Sequence, residues 1–424
     1  MSTITPRIGP RPLPLHLTAA ISAFASSQAM LPLLKRGLLA WRPELKARGA
    51  ELERSLAGVE LKGLARAVAA EVGERAQDLI VGIERYRNHP YRRDLADPPM
   101  VWCEGSSRLL DYGVKTGGAA VLVIPSLINR SYILDLMKEK SLLRYLAAQG
   151  LRPLLLDWGE PGAIERAFDL TDYVAGRLER ALDHAVAMAE SPVAVIGYCM
   201  GGNLALALAL RRASEIRALA LLATPWDFHA ERPEQGRLLG ALAPQLGHAF
   251  RGIGELPVDV LQTLFAALDP LLALRKFARF AAFDPVSPAA REFVALEDWL
   301  NDGVPLSLPV ALDCLGEWYG TNATALGTWR VAERAILPEA LALPALVVVP
   351  AQDRIVPPGS ARALAERIEG AELLAPALGH IGMVVSKEAP SLVWGPLSQW
   401  LLRPRSKAAR RLKPKAQRRQ RARR

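Results

Sequence analysis

The chain reads as an α/β protein, a mostly parallel, doubly wound sheet with a helical cap insertion, and three observations carry that expectation. Short, continuously apolar runs recur at 119–124, 153–156, 193–197, 218–223 and 345–349. Helical periodicity occupies 131–149, 171–190, 202–212 and 360–368, so strands and helices alternate. Strands that are apolar throughout must be covered on both faces, which is the condition of a parallel sheet flanked by helices. The alternation then lapses from about 225 to 344, a stretch rich in Pro, Trp and Leu without clear strands. Such a stretch predicts a mostly helical insertion lying over one edge of the sheet.

The flanking segments follow from composition. With 424 residues, 50% hydrophobic and 23% charged, the chain can bury a large core, and a disordered chain, a collagen-like fibre and a multi-span membrane protein are excluded. Residues 1–100 are expected to form a helical prefix. Within it, 13–34 leans apolar behind Arg7 and Arg11, but Pro14, His16, Gln28 and Pro32 interrupt it. No run reaches the ~20 apolar residues of a membrane span, and the interruptions weigh against a secretion signal. From 44 to 86, Leu52, Leu56, Val59, Val68 and Val72 fall mostly at spacings of three and four among charged residues, which predicts amphipathic helices. Residues 101–402 form the main domain with its insertion. The segment 403–424 holds twelve Lys or Arg and no acid, and is expected to be a disordered basic tail. The formal charge of +10 is therefore located there, and residues 1–402 carry a net −2. Cys103, Cys199 and Cys314 contain no CxxC pair, so no disulfide framework or structural zinc is expected and a reducing, cytoplasmic setting is favoured.

The strand at 193–196 runs into Gly197-Tyr198-Cys199-Met200-Gly201-Gly202, and a helical run begins at once. This is a nucleophile elbow with cysteine at the position of serine in G-x-S-x-G. Small residues on both sides let the chain turn sharply and lift the side chain above the strand end. The following helix aims its unpaired N–H groups, Met200 first, at the sulfur and at any oxyanion formed there. A second donor is expected from the loop after 119–124, at Leu127 or Ile128. A nucleophile of this kind needs a base and an acid to orient it, in the chain order nucleophile, acid, histidine. Asp353 lies on the loop after 345–349, and His380 lies between Gly379 and Gly382. His16 and His89 precede the sheet, His184 falls on a helix, and His229 and His248 lie in the insertion. Asp172, Glu179 and Asp183 read as solvated helix-face charges, and Cys103 and Cys314 as packing residues.

These blocks resemble the polyhydroxyalkanoate synthases, cysteine acyltransferases of the α/β-hydrolase superfamily, over roughly residues 112–401. Pro125-Ser126-Leu127-Ile128-Asn129 with Tyr132-Ile133-Leu134-Asp135 is similar to the family's P-P-W-I-N and Y-I-L-D-L, and Asp157-Trp158-Gly159-Glu160-Pro161 to its D-W-G block. Residues 197–202 match G-x-C-x-G-G, Trp299-Leu300-Asn301-Asp302 resembles the W-N-x-D block, Asp353 matches the D of D-H-I-x-P, and His380 the H of S-G-H-I. Ser126 and Leu127 stand in place of P-W, and Arg354 in place of the histidine of D-H-I. The resemblance implies an α/β-hydrolase fold and a Cys199-Asp353-His380 triad. It further implies polymerisation of 3-hydroxyacyl-CoA through a Cys199 thioester, with coenzyme A as part of the substrate and no cofactor. Expected partners are the growing polyester, a second copy of the chain or a second synthase subunit, and a granule surface or anionic polymer at the basic tail. Two alternatives stand beside it: a polyester depolymerase or acyl thioesterase of the same fold, and a non-catalytic granule or nucleic-acid-binding protein.

Overall fold

The central sheet has eight strands: β1 (Met100–Glu104), β2 (Ser107–Asp111), β3 (Ala119–Ile124), β4 (Leu151–Asp157), β5 (Val193–Tyr198), β6 (Ile216–Leu222), β7 (Ala345–Val348) and β8 (Glu372–Leu374). They lie in the order β1-β2-β4-β3-β5-β6-β7-β8 in this computed structural model, which describes residues 7–113 and 118–403. β2 runs antiparallel to β1 and β4, and every pair from β4 to β8 is parallel. Two-residue periodicity sorts the core: Val121, Val123, Ala194, Ile196, Ala218 and Ala220 face one side, and Leu122, Ile124, Val193, Val195, Leu219 and Leu221 the other. All are buried, as the continuous apolar runs require.

One element goes unforeseen and one local expectation is corrected. The β1–β2 hairpin adds an antiparallel edge that mixed runs such as Met100-Val101-Trp102-Cys103-Glu104 do not announce. The helix expected over 131–149 occupies only Leu142–Ala148, preceded by a 3-10 turn at Ser131–Leu134 and a short hairpin. The cause is Asp135, whose fully buried carboxylate is held by Arg93, Arg144 and the Tyr112 hydroxyl, fixing the chain as an extended segment there.

Ahead of the sheet come α1 (Leu13–Ala29), α2 (Leu31–Lys35), α3 (Lys46–Leu56) and α4 (Leu61–Asn88); the main-domain helices are α5 (Leu142–Ala148), α6 (Glu179–Ala189) and α7 (Met200–Arg211). The insertion is mostly helical: α8 (Pro233–Ala241), α9 (Ala243–Phe250), α10 (Val258–Ala266), α11 (Leu272–Ala281), α12 (Pro288–Asn301), α13 (Leu308–Leu312), a π-helical segment at Asp313–Gly320 and α14 (Ala323–Leu326). The stripe Leu79, Ile83 and Tyr86 of α4 packs on Phe277, Phe280, Ala290 and Val294 of α11 and α12. Gly82 permits this close approach, since a Cβ there would lie 2.0 Å from the Phe277 carbonyl oxygen. Arg7 clamps the junction with paired 2.6 Å bonds to Asp298 and further bonds to the His89 and Tyr91 carbonyls. No helix among the described residues is long and apolar enough to cross a membrane. Apart from Arg403, the segment expected to form the basic tail lies outside the described residues.

Candidate active site

The sequence dictates the elbow geometry. β5 ends at Tyr198, α7 begins at Met200, and Cys199 between them takes φ 55° and ψ −129°. A non-glycine residue pays about 1–3 kcal/mol for such a conformation, and surrounding structure must enforce it. Here the Cys199 N–H is held by the Leu222 carbonyl at 2.8 Å, and the Gly202 N–H donates to the Cys199 carbonyl at 2.9 Å. A Cβ at Gly201 would lie 2.2 Å from the Ile124 carbonyl oxygen, and one at Gly202 1.8 Å from Thr224 Oγ1. The glycines therefore let α7 press against β3 and β6, and the turn has one conformation open to it.

Asp353 and His380 arrive on the loops after β7 and β8. The imidazole Nδ1 lies 2.7 Å from Asp353 Oδ2, while Oδ1 accepts the N–H groups of Ile355 and Val356 at 2.8 and 2.9 Å. Both side chains are buried. Cys199 lies close enough to the ring for its charge to act on it. Burial pulls the His380 pKa down, but its electrostatic interaction with Cys199 and the bond to Asp353 override it and raise the pKa to about 10. His380 thus sits between the Asp353 carboxyl group and Cys199, with its own pKa raised. Tyr198 supports it: its ring lies over the imidazole with centroids 5.3 Å apart, and its hydroxyl donates to the His380 carbonyl at 3.2 Å. Cys199 itself is half-buried rather than sealed from solvent.

The oxyanion side is narrowed by the structure. Met200 is the first residue of α7, where a backbone N–H has no partner inside the helix. On the facing loop the Ile128 N–H donates to Ser126 Oγ at 3.0 Å. The Ile128 N–H is thus already engaged, so of the two loop residues Leu127 is the donor proposed below. Trp158 fixes this loop by donating to the Pro125 carbonyl at 3.0 Å, and Trp299 of α12 donates to the Arg130 carbonyl at 2.8 Å. Arg130 also pairs with Glu160 and Asp302. The D-W-G and W-L-N-D blocks are thus braces of one loop, a role that spacing in the sequence does not reveal.

An apolar cavity of about 150 Å³ opens between the insertion and the sheet edge. Its lining includes Ile128, Tyr319, Ile355 and Val356 together with Leu239, Leu264 and Phe265. Tyr319 adjoins the nucleophile: burial, then the negative charges of Cys199 and Cys314, pushes its phenol above the usual range. Tyr319 escapes sequence reading because the π-helical segment that carries it has no recognisable pattern. Glu179 and Asp183 lie on a helix face as expected, paired with Arg211 and Arg212 rather than free, and Asp172 bonds the Asp169 N–H. No group of three or more metal-ligating side chains occurs among the described residues.

Comparison with known proteins agrees with this architecture. Three similar chains are named poly(3-hydroxyalkanoate) polymerase subunit PhaC. That of Haloferax mediterranei is 28% identical over 71% of this chain and 63% of its own, and that of Haloarcula marismortui 25% identical over 71% and 66%. That of Allochromatium vinosum is 27% identical over 66% of this chain and 80% of its own. The chain spans just under two thirds of the first two. A family model described as alpha/beta hydrolase fold matches residues 119–386, the stretch from β3 through the His380 loop. The strand order, the elbow and this match, which covers more than half of the sequence, assign the chain to the α/β hydrolase fold family.

Proposed function

We propose that the chain is a polyhydroxyalkanoate synthase-type acyltransferase that polymerises 3-hydroxyacyl units from coenzyme A thioesters through Cys199. The observation that carries this reading is the imidazole of His380, bonded to Asp353 at 2.7 Å, beside a cysteine at the elbow. A cysteine exchanges one thioester for another at little free-energy cost, and the similarity to polymerase subunits supports that class of substrate.

The Cys199 thiolate attacks the thioester carbonyl, and the oxygen that gains charge is received by the Met200 and Leu127 N–H groups. The C–S bond to coenzyme A breaks, and His380 gives its proton to the departing thiolate. The ring is now neutral and can act as base. It takes the proton of a 3-hydroxyl on the next chain, whose oxygen attacks the Cys199 thioester. The new ester forms, Cys199 leaves as thiolate, and the ion pair is restored. Asp353 holds the ring orientation throughout. Coenzyme A enters only as part of the substrate, and the growing polyester is the second substrate.

A hydrolase of the same fold would use water in the second half, so the acceptor is what the test must read. With 3-hydroxybutyryl-CoA we expect a lag in coenzyme A release that shortens when a hydroxyl-terminated oligomer is added, and a chloroform-soluble product. Acceptors are scarce at first and later tethered at high effective concentration. Stoichiometric free 3-hydroxybutyrate without a lag would replace the synthase by a hydrolase.

A further inference from the structure

We propose that the mouth of the apolar cavity is a binding site for the phosphate groups of a coenzyme A ester, with Arg232 and Arg354 as its cations; this rests on the acyl-CoA reading above. Four charged side chains line the cavity: Asp227, Glu231, Arg232 and Arg354. The two acids, half-buried Asp227 and exposed Glu231, are both engaged by hydrogen-bond donors. Asp227 Oδ1 accepts Asn322 Nδ2 at 2.8 Å and the His229 N–H at 2.9 Å, and Glu231 Oε1 accepts the Gly359 N–H at 2.9 Å.

The two arginines are turned outward. Arg232 is exposed and has no ion pair among the described residues. Arg354 leaves 85% of its side chain exposed and approaches Asp269 at 3.8 Å, while Asp269 is already bound by Arg275 at 2.5 Å. The cations come from opposite lips, Arg232 just before α8 in the insertion and Arg354 next to Asp353 on the sheet side. A guanidinium fork matches phosphate oxygens bidentately, and at a rim it does so without the cost of burying either charge. Beside these charges the lining includes Leu239, Leu261, Phe265 and Leu268, an apolar surface suited to an uncharged arm. Of the lining residues, Ile355 and Val356 hold Asp353 through their N–H groups, and Tyr319 lies near enough to Cys199 to feel its charge. A ligand that is anionic at one end, neutral along its length and a thioester at the other matches this set of surfaces.

The test compares 3-hydroxybutyryl-CoA with 3-hydroxybutyryl-N-acetylcysteamine, which carries the same acyl group and no phosphate. In the Arg232→Gln/Arg354→Gln double variant the ratio of kcat/KM for the CoA ester to that for the short ester should fall about tenfold, through KM of the CoA ester. Raising NaCl from about 50 to about 300 mM should lower the wild-type ratio and leave that of the double variant nearly flat. An unchanged ratio, or an equal loss on both esters, overturns the proposal. Titration calorimetry with free coenzyme A and with pantetheine reads the same site without turnover. The wild type should bind coenzyme A about tenfold more tightly than pantetheine, a preference the double variant lacks. A wild type that turns over neither ester but keeps that preference refutes the acyltransferase reading and leaves the site standing; no preference for coenzyme A refutes the site.

Discussion

At the scale of residues, the sign of the His380 shift sets a pH dependence. Its pKa is raised to about 10, so the imidazolium is present below that pH and lost as the pH rises through it. The first coenzyme A release per active site, which consumes this proton, should therefore fall on an alkaline limb near pH 10, measured by rapid quench. Asp353→Asn should move the limb to lower pH and cost on the order of 10²–10⁴ in rate. A limb that stays in place on that substitution would remove Asp353 as the orienting group. Cys199, Asp353 and His380 were legible because elbow, acid and histidine follow in an order that few sequences offer by chance. The places of Tyr198 and Tyr319 were not, since the ring contact of Tyr198 with His380 is set by how the end of β5 meets the His380 loop, and the place of Tyr319 by the π-helical segment of the insertion, not by spacing along the chain. Arg354 was visible only as a departure from a family pattern, and its exposure at a cavity mouth gives that departure a physical reading.

At the scale of elements, strands announced themselves where both faces are buried and went unseen where one face is open. β3, β5 and β6 are apolar on both faces, whereas β1 has no fully buried residue. The 131–149 segment misled for a related reason: its apolar residues have helical spacing, but the buried ion pairs of Asp135 override that preference. The elbow shows how tightly two elements can depend on a missing side chain. Gly201→Ala places a methyl group 2.2 Å from a backbone oxygen of β3, which has no rotamer through which to yield. We expect a destabilisation of about 2–3 kcal/mol, read as a lower urea midpoint at unchanged slope. A midpoint within error of wild type would mean that α7 is not pinned to β3 as described.

At the scale of the whole molecule, the amphipathic pattern at 44–86 was legible as helix, but which surface it would cover was not, because long-range packing leaves no local trace. That surface is the insertion, through α4 against α11 and the Arg7–Asp298 clamp. Asp298→Asn removes the charge from a clamp in which Arg7 is 7% exposed and Asp298 28%, and should cost about 2 kcal/mol. Faster clipping before α4 by a protease at low concentration would report it, and unchanged clipping would show the clamp to be idle. The glycine contact at Gly82 carries a mechanical consequence. Backbone pressed on backbone transmits displacement with almost no slack, so α4 and α11 travel together. If the cavity widens to admit a polymer end, the swinging arm is not the insertion alone but the insertion with the first helices riding on it, a heavier body whose pivot lies where Trp299 and Asp302 grip Arg130. A spin label on α4 paired with one on the sheet should then record as much travel as a label on α11.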